Sequence, residues 1–161
     1  MKLIRWGAAG QEKTGVIIND IWYDTSAFGG DYDEAFFENN GLERLAKFVK
    51  ANEGKLAEIS TEERLGSPIA RPSKILCIGL NYADHAKETN APLPAEPIIF
   101  MKSTSSLVGP FDDIIIPKNS VKTDWEVELA IVIGKKASYV EVENALDYVA
   151  GYVLHNDVSE R

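Results

Sequence analysis

The chain is poor in the residues that would staple or anchor it. One cysteine, Cys77, stands among 161 residues, with two histidines and two methionines. A lone thiol excludes a disulfide framework within the chain, so the fold must rest on a hydrophobic core. No run approaches the roughly 18 apolar residues that a membrane-spanning helix needs. Positive charge is in deficit: 17 Lys and Arg face 25 Asp and Glu, a formal net charge of −8. Nucleic acid and other polyanions are therefore not the expected partners. The opening Met1-Lys2-Leu3-Ile4-Arg5-Trp6 has no signal-peptide core. With the lone thiol, this points to the cytoplasm. Neither an internal repeat nor a low-complexity segment is visible. What the chain does have is an ordinary globular mixture, 45% hydrophobic and 26% charged, long enough to bury a core.

The pattern along the chain is α+β, with strands in the majority. Lys2 to Trp6, Thr14 to Ile18 and Ile21 to Tyr23 read as a small antiparallel sheet, with Asn19-Asp20 as the second turn. Asp33 to Glu38 suits a short helix. Leu42 to Ala51 suits a longer one, because Leu42, Leu45, Ala46, Phe48 and Val49 fall on one helical face. Gly66, Pro68 and Pro72 interrupt regular structure, which places a domain boundary near residue 70. Beyond it, Lys74 to Gly79, Ile98 to Lys102, Ile114 to Ile116, Trp125 to Ile133 and Gly151 to Asn156 read as strands. Tyr82 to Glu88, capped by Asn81, and Glu141 to Val149 read as helices.

The chemistry concentrates in three places. In Asp124-Trp125-Glu126-Val127-Glu128-Leu129-Ala130-Ile131-Val132-Ile133, strand alternation puts Glu126, Glu128, Ala130 and Val132 on one face. Trp125, Val127, Leu129, Ile131 and Ile133 take the other face, the one expected to be core. Two carboxylates thus sit about 7 Å apart at Cα. A solvent-facing strand end explains such a pair, but the near-continuous apolar run argues for a covered face, where a divalent cation would balance the charges. Asp157, following the last strand, is a third candidate ligand or else the head of an Asx turn. Three carboxylates without a thiolate select a hard cation, Mg²⁺ or Mn²⁺, over zinc. In the third place, His85 and Glu88 lie at i and i+3 of the predicted short helix. They form either a surface pair or a carboxylate-oriented general base. The other histidine, His155, shares a strand face with Asp157 and is expected to be packed in the core.

Taken together, four runs in one order are specific. They are Cys77-Ile78-Gly79-Leu80-Asn81-Tyr82-Ala83-Asp84-His85, Pro97-Ile98-Ile99-Phe100-Met101-Lys102 with Gly109-Pro110, Asp124 to Gly134, and Asp147 to Arg161. They resemble the fumarylacetoacetate hydrolase family, strongly over residues 71–161. The resemblance implies a small N-terminal α/β domain over 1–70, then over 71–161 the first part of a mixed β-roll catalytic domain. It implies Glu126, Glu128 and Asp157 as ligands of Mg²⁺ or Mn²⁺, His85 and Glu88 as the water-activating dyad, and Lys102 and Arg161 near the substrate. The implied reaction is hydrolytic cleavage of a carbon–carbon bond in a 2,4-diketo acid of the acylpyruvate type, such as a 2,4-diketo-3-deoxy sugar acid, giving pyruvate and a second acid. Lyase, decarboxylase and isomerase reactions through the same metal-bound enolate are the alternatives. A homodimer is implied as well. The family's later Gly-Gly-Gln-Trp-like and Gly-Thr-Pro-Gly-like loops are absent from these 161 residues, so the catalytic domain is expected to be incomplete. The remaining reading is an inactive piece that acts only in binding or oligomerisation.

Overall fold

A computed structural model of the chain describes every residue except Thr89 and Ala91. The architecture is strand-rich α+β, with nine strands and three α-helices among the described residues. The chain divides into two compact units. One comprises Met1–Ala70 with Val108–Arg161, the other Arg71–Leu107. No helix among the described residues is long and apolar enough to cross a membrane.

The first unit begins with an antiparallel sheet of β1 (Lys2–Trp6), β2 (Lys13–Ile18) and β3 (Ile21–Asp24), in that order. Ile18 pairs with Ile21 across a two-residue turn. Asn19 and Asp20 there adopt φ of 50° and 63°. Left-handed geometry at both central positions matches the twist of the flanking strands, and Asn and Asp tolerate it best after glycine. Helix α1 (Glu34–Glu38) starts where the Asp33 carboxylate accepts the Phe36 N–H at 2.9 Å. Asn40 turns the chain at φ 54°, and α2 (Gly41–Ala51) follows.

The helices close over the sheet. Val16, Tyr32, Phe36 and Leu45 form the buried cluster, with Leu3, Ile18, Phe28, Leu42, Phe48 and Val49 packed around it. Burying one such aliphatic side chain contributes about 2 kcal/mol. Tyr32 is wholly buried yet satisfied: its hydroxyl donates to the Gly15 carbonyl at 2.9 Å and meets the Thr25 hydroxyl at 3.2 Å. Burial pushes its phenol up to about 12, so it stays neutral and keeps its proton for that bond.

An ion network ties the N-terminal sheet to the segment after Val108. Arg5 meets the Asp31 carboxylate through two nitrogens, at 2.7 and 2.9 Å. Arg64 holds Asp112 in the same two-pronged way, at 2.7 and 2.6 Å. Glu12 bridges the two guanidiniums, 3.4 Å from Arg5 and 3.0 Å from Arg64. Burial alone would raise the Glu12 carboxyl, but hydrogen bonds from backbone N–H groups and Arg64 outweigh it and hold the group low. The Arg64 hydrogen bonds hold Asp112 low in the same way. Gly109 approaches the Leu65 carbonyl so closely that a side chain there would collide with it.

The strands in the rest of this unit form two antiparallel pairs that continue one another. β6 (Thr123–Asp124) pairs with β9 (Ser159–Glu160), and β7 (Val127–Ile133) with β8 (Val149–Asn156). The register is the same on both sides of the interruption at 125–126 and 157–158. Alternation in β7 is as expected and the glutamate face is partly covered, but the apolar face expected to be core is exposed. Glu128, Ala130 and Val132 are half-buried, whereas Leu129 is 65% exposed and Trp125, Val127, Ile131 and Ile133 are exposed too. The apolar face is bare because no described residue packs over it. The expected strand at Ile114 to Ile116 is not formed: these residues find no ladder partner and their side chains are exposed. Residues 142–148 wind as a 3₁₀ helix rather than the expected α-helix, with Val142 and Leu146 exposed. Without a packing surface, helical spacing alone does not enforce the α form.

The second unit is an antiparallel pair, β4 (Ile75–Gly79) and β5 (Ile98–Lys102), with α3 (Ala83–Glu88) in the connection. Among its described residues, Cys77 and Ala86 are the buried side chains.

Candidate metal centre

Three carboxylates meet on the half-buried face of the long ladder. Glu126, Glu128 and Asp157 each offer an oxygen within 4.8 Å of the other two. Strand geometry explains the convergence. Glu126 and Glu128 are two residues apart and share a face. The shared register sets Asp157 directly opposite Glu126 and His155 opposite Glu128. Asp157 is 2% exposed, and the two glutamates are half-buried. Like charges held this close and partly out of water repel, and the arrangement favours a bound cation. The donors are hard carboxylate oxygens, the set that suits Mg²⁺ or Mn²⁺ rather than zinc. A divalent ion therefore fits the residues present.

Neighbouring groups set the charge around this cluster. Arg161 lies 3.0 Å from a Glu126 carboxylate oxygen and, through Nε, 3.0 Å from Asp124. One guanidinium thus offsets part of the negative charge at the cluster's edge. His155 was expected in the core, but its side chain is 25% exposed, with Nδ1 3.9 Å from Glu128 Oε2. Glu160 faces elsewhere. Its carboxylate accepts from the Ser120 and Thr123 hydroxyls and from the backbone N–H groups of Val121 and Lys122. These bonds, led by that from Ser120, hold its carboxyl below the usual range.

The remaining expected site residues belong to the second unit. His85 is half-buried and Glu88 exposed, one helical turn apart on α3. Lys102 ends β5, half-buried, in register with Ile75. Sequence reasoning missed Asn156, whose side-chain oxygen accepts the Glu126 N–H at 3.0 Å. Its position immediately before Asp157 was the available signal.

Comparison with known proteins fits this picture. The family described as fumarylacetoacetate (FAA) hydrolase C-terminal matches residues 74–161. A Burkholderia ambifaria protein with a provisional hydrolase name is 50% identical over 162 residues, covering all of this chain and 56% of that protein. Among solved structures, maleylpyruvate hydrolase from Sphingobium sp. SYK-6, in complex with manganese(II) and pyruvate, superposes with a TM-score of 0.80 at 28% identity. It covers the whole chain and 60% of that protein. A 5-carboxymethyl-2-hydroxymuconate delta-isomerase from Mycobacterium smegmatis gives a TM-score of 0.67 at 26% identity, covering the whole chain and 55% of that protein. The chain spans little more than half the length of the relatives it matches.

Proposed function

The chain belongs to the fumarylacetoacetate hydrolase family, and from that premise we propose that it carries the metal centre of a divalent-metal-dependent hydrolase acting on the carbon–carbon bond of a 2,4-diketo acid. One observation carries the reading: three carboxylate oxygens converge within 4.8 Å on a single ladder face. Glu126, Glu128 and Asp157 would hold Mg²⁺ or Mn²⁺. When bound, the ion supplies a Lewis acid for the 2-keto acid end of the substrate and for the charge that develops there on cleavage. His85 would take a proton from water, with Glu88 one turn away orienting its ring. Arg161 and Lys102 bring positive charge suited to the substrate's carboxylate. The pyruvate and manganese named with the Sphingobium hydrolase support this substrate class. A sugar-derived diketo acid is the finer proposal.

A second reading, isomerisation of a related keto–enol acid, is favoured by the Mycobacterium smegmatis isomerase among the structural neighbours. Product analysis separates the two. With an acylpyruvate and Mn²⁺, hydrolysis removes the enol absorbance and releases one pyruvate per substrate. Isomerisation changes the absorbance with no pyruvate. Glu126→Gln is expected to weaken Mn²⁺ binding by about 100-fold, since it removes one of three charged ligands. His85→Ala is expected to leave Mn²⁺ binding intact and abolish turnover. Mn²⁺ binding that survives Glu126→Gln unchanged would sink the metal assignment.

A further inference from the structure

In a hydrogen-bonded antiparallel pair, the two facing residues exchange both of their N–H···O bonds. The pair formed by Glu126 and Asp157 has only half of this exchange. The Asp157 N–H donates to the Glu126 carbonyl at 2.9 Å. The return bond is not made: the Glu126 N–H donates instead to Asn156 Oδ1, at 3.0 Å. The Asp157 carbonyl accepts the Ser159 hydroxyl, at 3.2 Å. The interruption of the ladder at 125–126 and 157–158 thus includes the pair that carries two of the three candidate ligands, while the register on either side is unchanged. Asn156 belongs by alternation to the opposite, exposed face, yet its side chain turns to the neighbouring strand's backbone.

The Asn156 amide takes the place of the ladder carbonyl: it satisfies the Glu126 N–H while the Asp157 N–H keeps its bond to the Glu126 carbonyl. The Glu126 backbone is then fixed from both sides, by Asn156 at its N–H and by Asp157 at its carbonyl. We propose that Asn156 is a positioning residue, holding Glu126 at the angle that brings its carboxylate into the cluster with Glu128 and Asp157. The inference rests on the metal-centre reading. Outer partners that orient a ligand typically carry a 10- to 100-fold effect on metal affinity.

The test uses the 161-residue chain and the electron paramagnetic resonance signal of free Mn²⁺ during titration, with thermal unfolding in chelator alongside. Asn156→Leu keeps the volume and removes the acceptor. Asn156→Asp keeps an acceptor oxygen at the same place. Asn156→Leu is expected to bind Mn²⁺ about 10-fold more weakly, and Asn156→Asp at least as tightly as wild type. A merely structural role would shift the unfolding temperature of both variants without separating their affinities. Should leucine prevent folding, Asn156→Ala removes the same acceptor with nothing to overpack, and the same loss is expected. Wild-type affinity in the acceptor-free variant, or an equal loss in Asn156→Asp, overturns the proposal. Wild type that takes up no Mn²⁺ overturns the metal reading and this inference with it. Normal uptake by wild type and by Asn156→Leu overturns this inference alone.

Discussion

Residues 1–70 and the β7–β8 ladder use their apolar residues in opposite ways. In the first region α1 and α2 close over the sheet, and Val16, Tyr32 and Leu45 have no exposed surface. In the second, Leu129 is 65% exposed and Leu154 79%, while Glu128 on β7, with Glu126 and Asp157 just beyond the strand ends, turns to the better-shielded side. The first region spends its apolar side chains on its own stability. The ladder uses its better-shielded face to hold charge. An amphipathic strand therefore reports that two unlike faces exist, and only the packing of neighbouring elements decides which one is inside.

Three measurements would break or sharpen this contrast. The largest expected effect is at the closed core. Leu45→Ala should cost about 3–5 kcal/mol, the range for a fully buried leucine, read as a fall in the denaturant midpoint. A cost below about 1 kcal/mol would mean that the helices do not seal the sheet. Next is Arg64→Met, which leaves Glu12 and Asp112 facing each other without their shared cation. A loss of about 2–3 kcal/mol at neutral pH is expected. The loss should shrink in acid. Both carboxyls titrate lower in the folded chain than when unfolded, so their contribution is present above about pH 4 and disappears as pH falls through the folded values. Wild-type stability should therefore drop more steeply below pH 4 than that of Arg64→Met. An equal slope would count against the network. The smallest effect belongs to the bare face. Leu129→Lys should change stability by no more than about 0.5 kcal/mol and should lower binding of an apolar dye. A large destabilisation would show that the face is covered in solution.

Much of this was legible in the residues. Asn19-Asp20 between two β-branched runs specifies a hairpin turn, because that signal acts within a few bonds. The short helix expected over Asp33 to Glu38 forms as well, with Asp33 as its cap rather than its first residue. The carboxylate cluster was legible in part: alternation put Glu126 and Glu128 on one face, whereas Asp157 was a candidate joined to them by the resemblance, and the cross-strand pairing that sets it opposite Glu126 came from the structure. Three features were not. Ile114 to Ile116 has the composition of a strand, but a strand exists only with a partner, which local sequence does not name. Val142, Ala145, Leu146 and Val149 have helical spacing, yet with nothing to pack against the segment tightens to 3₁₀. The Asn156 bond to the Glu126 backbone depends on where a ladder opens, which no spacing encodes.

The unchanged register across the interrupted ladder has one more consequence. Strand pairing admits slipped alternatives, and a slip of one residue sends every side chain of a strand to the other face. In a slipped ladder Asp157 would lie opposite Trp125 or Val127, and the three carboxylates would scatter. A ligand that requires all three would bind only the native pairing, and would draw the population towards it by mass action. The site would then proofread the hairpin that builds it, favouring one alignment of two strands whose exposed faces alone give little reason to choose.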